Sequence, residues 1–192
     1  MLSKVLRPSA SILVATMAGL AASMPAGGEI TKLLLQCKEG KLCPAYRASI
    51  TAPEGWNFDR DAERRLNLQV LVPKGSSFDD AGAVIYATVT YNPKNRSVAD
   101  YIADDQAKWR AKAADVKIAP LADVPRAGGR EAFRLYLYEM PSSSVQPFER
   151  VATATDSDKD GNGFLVGIVL SAKSMAALNE AEPAYLAVLK AY

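Results

Sequence analysis

Histidine is absent from all 192 residues. Its absence excludes imidazole metal ligation, Ser-His and Cys-His nucleophile activation, and the side chain most used for acid–base work near neutral pH. Cysteine occurs twice, as Cys37 and Cys43, and two thiols without histidine are too few to close a structural zinc site. The sequence contains no Gly-x-Ser-x-Gly elbow, no Ser-x-x-Lys pair and no Walker A loop, so the usual motifs of acyl and phosphoryl transfer are missing. Gly161, Gly163 and Gly167 superficially suggest a dinucleotide turn, but they lead into an apolar strand instead of following a strand into a helix. No run of Lys and Arg, internal repeat or low-complexity linker is present.

What remains has the proportions of one globular domain: 49% apolar and 23% charged residues in a chain of single-domain length. The N-terminus reads as a secretory signal over residues 1–26. Lys4 and Arg7 supply the basic start, residues 12–22 the apolar stretch, and Ala21-Ala22-Ser23 or Met24-Pro25-Ala26 the small-residue cleavage site. Without Lys4 and Arg7 the chain carries 21 basic and 21 acidic residues. A neutral mature chain gives no argument for nucleic acid or for an anionic membrane surface, and nothing after residue 26 reads as a membrane span. The expected compartment is periplasmic or extracellular.

Residues 27–44 form a lead-in. In an oxidising compartment Cys37 and Cys43 are expected to join in a local disulfide around the turn at Gly40, worth roughly 2.4 kcal/mol by chain entropy. A redox-active pair is the sharper alternative, but five residues intervene here instead of two.

From residue 45 to 192 the pattern is that of a single α+β domain. Tyr46, Ala48 and Ile50 alternate with polar residues, as do Leu66, Leu68, Val70 and Val72, and residues 83–91 are rich in β-branched and aromatic side chains. Ser97, three residues before Asp100, opens a helix through Trp109, whose indole reads as a core anchor. A short strand is expected at 116–121, then strands at 131–140, 148–155 and 164–172. The last is the most apolar and should be central. Ser174 caps a final helix, interrupted or restarted at Pro183. Hairpin-type links between the strands imply a mostly antiparallel sheet flanked by helices.

The turn Pro53-Glu54-Gly55-Trp56, the segment ending in Tyr91, the Ser97 helix, the Gly128-Gly129 region and the closing strand GFLVGIVLSA with its helix resemble the PsbP-like fold family. That group includes the extrinsic lumenal protein of photosystem II, Ran-binding proteins and secreted bacterial proteins. The resemblance spans residues 45–192 and implies an α-β-α sandwich serving as a binding or accessory module, with a protein partner and no catalytic residues to carry over.

Two candidate chemistries rest on the residues themselves. Asp156, Asp158 and Asp160, with Gly161 after them, begin as a calcium loop begins, but the twelfth position is Gly167 instead of a bidentate Glu. The bland reading is a hairpin turn, and the sharp one a weak calcium site. Carboxylate pairs at Asp79-Asp80, Asp104-Asp105 and around Asp59, Asp61 and Glu63 offer the second, a carboxylate- or cation-dependent hydrolase, with nothing selecting one pair.

Overall fold

The computed structural model describes residues 28–36, 40–141 and 144–192. Its centre is a seven-stranded sheet in which every neighbour is antiparallel, as the hairpin links imply. Its strands are β3 (Trp56–Phe58), β4 (Gln69–Pro73), β5 (Ala83–Tyr91), β6 (Lys117–Pro120), β7 (Arg134–Glu139), β8 (Phe148–Ser157) and β9 (Gly163–Ala172). They run in the order β3-β4-β5-β9-β8-β7-β6. The most apolar strand, β9, is therefore the middle one. A separate hairpin of β1 (Ile30–Gln36) and β2 (Leu42–Ala48) precedes the sheet.

Alternation along the strands sorts the side chains into two faces. Ile85, Phe164, Val166, Ile168 and Leu170 point to one face, where they meet Leu178, Tyr185 and Leu189 of helix α3 (Met175–Ala191) and Ile30 and Ala48 of the hairpin in the main core. Tyr185 is fully buried there and donates its hydroxyl to the Ile168 carbonyl at 2.8 Å. The opposite face is covered in two places. Helix α1 (Arg60–Leu66) lies over Val70, Val72 and Val84, and helix α2 (Val98–Lys112) sets Val98 and Ile102 against Leu165. The result is an α+β domain with helices on both faces of an antiparallel sheet.

Several local readings change. Residues 65–72 are not one strand. Leu66 ends α1, Asn67 takes the left-handed conformation of a helix cap, and the strand starts at Gln69. The helix begins at Asp59, which accepts the backbone N–H groups of Asp61 and Ala62, and whose other oxygen accepts from Phe78 at 2.8 Å. These bonds hold its carboxyl below the usual acid range. The Asp59, Asp61, Glu63 cluster is thus a helix start. The lead-in holds β1, which buries Ile30 in the main core. The final helix is continuous through Pro183, because Leu178 and Ala181 before it and Tyr185 and Leu189 after it are all buried. Ser97 and Ser174 cap α2 and α3 as the pattern predicts, accepting from the N–H groups of Asp100 and Ala177.

The candidate cleft between α2 and the sheet

Because α2 touches its face of the sheet through Val98 and Ile102 near its N-terminal end, the rest of the helix stands over strand residues that are mostly polar or aromatic, with Val151 and Val169 among them. Between them lies a cleft of about 350 Å³. Its lid is Tyr101, Asp105 and Trp109, set four residues apart on one side of α2. Its floor is built from alternate positions of four neighbouring strands: Thr88 and Thr90 of β5, Gly167 of β9, Glu149 and Thr153 of β8, and Tyr136 and Tyr138 of β7. Gly167 keeps the floor low, since a Cβ at that position would sit 2.6 Å from Thr88 Oγ1.

Glu149 is the chemically distinctive group. Its Oε1 accepts from Ser171 Oγ at 3.0 Å and from the Tyr86 hydroxyl at 3.3 Å. Burial pushes the carboxyl above its ordinary range, the two hydrogen bonds pull it back, and the nearby Asp105 charge pushes it further up. Asp105 Oδ2 accepts from the Tyr138 hydroxyl at 3.2 Å. Desolvation and these carboxylates raise both phenols, Tyr86 and Tyr138, far above the ordinary tyrosine range, so both are donors at any physiological pH. No Lys or Arg lines the cleft.

Tyr86, Glu149 and Ser171 also bound a second cavity, of about 380 Å³, formed with Leu66, Leu68, Phe78 and Val145. The two spaces share one polar wall. Leu66 and Val145, the latter 84% exposed, are two of the few large apolar side chains left to solvent among the described residues.

The residues singled out from sequence are mostly elsewhere. Asp156 turns inward and pairs with Arg126 at 2.6 Å, with Arg130 at 3.7 Å beyond it. Asp158 accepts from Asp160 N–H at 3.0 Å and from Asn162 N–H and Nδ2 at 2.9 and 2.8 Å, the last lowering its acidity range most. Asp160 is exposed. Gly161 has φ +80°, where glycine is at ease. No group of three or more metal-ligating side chains among the described residues is arranged to hold an ion. Asp79 pairs with Arg65 and Asp104 with Arg96. Of the acid pairs read from sequence, Asp105 lines the cleft. Trp109 is half-buried over that cavity and belongs to no core cluster, contrary to its reading as a core anchor. Cys43 lies in β2 opposite Leu35. Cys37 and the signal segment fall outside the described residues.

No family model matches the chain, and no curated protein sequence matches it. No helix among the described residues is long and apolar enough to cross a membrane.

Proposed function

We propose that this protein is an exported, non-enzymatic binding module of PsbP-like type that holds a small ligand in the cleft between α2 and the sheet. The supporting observation is the cleft itself. It is walled by aromatic rings and hydroxyl groups, it places two carboxyl groups and two phenol donors at fixed positions, and it is roughly the size of a small-molecule site. A Cys37–Cys43 bridge, expected from the sequence, would fit the same reading, in keeping with an oxidising compartment. A protein partner would then be served by the filled module.

The competing reading is a hydrolase using Glu149 and Asp105, since the two carboxyl groups share one cavity and burial raises the acidity range of Glu149. Native mass spectrometry of protein recovered from the exported fraction decides between them. The expected result is a mass above that of the polypeptide, lost in Thr90→Trp, which plugs the cleft from its exposed rim. A bare polypeptide mass, together with hydrolysis of chromogenic substrates abolished by Glu149→Gln or Asp105→Asn, would replace the binding module with the hydrolase.

A further inference from the structure

The ionisable lining of the cleft carries two carboxyl groups and no Lys or Arg. Each carboxylate is anchored through one oxygen and leaves the other without a protein hydrogen-bond partner among the described residues: Glu149 uses Oε1 and Asp105 uses Oδ2. Neither carboxylate forms an ion pair among those residues. The surrounding groups include the aromatic rings of Tyr101, Tyr136 and Trp109 and the apolar Ile102, Val151 and Val169; no Lys or Arg lines the space itself, and Lys112 Nζ lies 5.5 Å from the centroid of the Trp109 ring. Aromatic rings combined with acids attract an ammonium group by ring quadrupole and by charge, as the Trp109 ring already does for Lys112. The neighbouring cavity supplies the complementary half. Leu66, Leu68, Phe78 and Val145, with Gln146 and Ser171, line a chamber that has Tyr86 and Glu149 in common with the cleft, so a head at Glu149 lies next to apolar surface for a tail.

We propose that the ligand is an amphipathic organic cation, with an ammonium head between Glu149, Asp105 and the aromatic lid and a hydrocarbon tail in the Leu66–Phe78–Val145 chamber. This inference rests on the reading of the cleft as a ligand site and adds the charge and shape of what it takes. Selectivity comes from the two free carboxyl oxygens, and affinity from burial of the tail against exposed apolar side chains.

Isothermal titration calorimetry on the purified protein separates the two statements, with n-octylammonium, its neutral isostere n-octanol, and tetramethylammonium as probes. Octylammonium should bind about tenfold or more tightly than octanol, the factor expected for one charge-based discrimination of about 1.4 kcal/mol. Glu149→Gln and, separately, Asp105→Asn should remove that preference and leave octanol binding within about twofold, while melting curves confirm that both variants fold. Val145→Asp should weaken octylammonium and leave tetramethylammonium unchanged. Equal binding of octanol and octylammonium, indifferent to Glu149→Gln, would overturn the cation preference and leave the cleft a binding site. Binding of neither alkyl probe would overturn both.

Discussion

Arg126 carries the sharpest energetic consequence of the fold. Its guanidinium side chain is 1% exposed and its partner, the Asp156 carboxylate, 12%. Nη2 donates to Asp156 at 2.6 Å and Nη1 to the Thr155 carbonyl at 2.8 Å, while the Phe133 and Tyr192 rings lie on the guanidinium at 5.0 and 5.2 Å. Arg126→Leu removes the cation and leaves the Asp156 carboxylate with Arg130 at 3.7 Å and the Ser157 N–H at 2.9 Å. Stranding one charge of a buried pair costs about 3–5 kcal/mol, and each lost ring contact adds about 0.5–2 kcal/mol. Relief acts against this, because Arg126 Nε is buried without a hydrogen-bond partner and its desolvation penalty disappears with it. The expected net loss is about 3–4 kcal/mol. Urea unfolding should show it as a midpoint lowered by roughly 1–3 M at unchanged slope. Arg126→Leu combined with Asp156→Asn should lose less than the two single changes added, by about 1 kcal/mol or more, because the removed groups are each other's partner. A loss under about 1 kcal/mol for Arg126→Leu, or strict additivity in the cycle, would refute the claim that this pair holds the β8–β9 end of the sheet.

Three other outcomes are expected of the folded chain. Glu149 has a carboxyl raised in the native state, so the native state binds its proton more tightly than the unfolded one. Its stabilising contribution is complete below the unfolded acid range and is lost as pH rises through the raised native value. Glu149→Gln should therefore raise the melting temperature more at pH 7 than at pH 4, and a larger gain at pH 4 would contradict the burial argument. At the β8–β9 turn, Gly161→Val forces a β-branched residue to φ +80° and should lower the melting temperature by about 2–8 °C, whereas Asp158→Asn keeps a side-chain acceptor for the turn and should change it little. Millimolar calcium should leave the wild-type melt where chelator leaves it; a rise that disappears in Asp160→Asn would make this turn a cation site.

The pattern of the sequence carried most of the sheet because alternation is a physical demand of a two-faced strand. Residues 164–172 are apolar on both sides for the reason expected, a central position between β5 and β8. It failed where the demand lapses. The hairpin strand β1 overhangs the core, so Leu34 is 62% exposed and Leu33, Leu34 and Leu35 run together without a period. Helix α1 spans two turns and buries Ala62 and Glu63, too little for a helical stripe; only the cap at Asp59 marked it, and that residue read equally as one of several acids. Pro183 misled because a missing N–H weighs less than the five buried side chains on either side of it.

The cleft escaped for a deeper reason. Polar residues alternating on a strand read as solvent-facing, and Tyr86, Glu149 and Thr153 are alternating residues of that kind. What turns this face into an interior is a lid from another part of the chain, and no local period encodes where a helix will be lifted off a sheet. One trace was present. Gly167 and Ser171 interrupt the apolar run of the strand flanked on both sides by others, exactly where neither exposure nor sheet-edge position can excuse them. In a central strand such interruptions must face something other than core, and here Gly167 opens the floor of the cleft while Ser171 holds the carboxylate on which its selectivity rests.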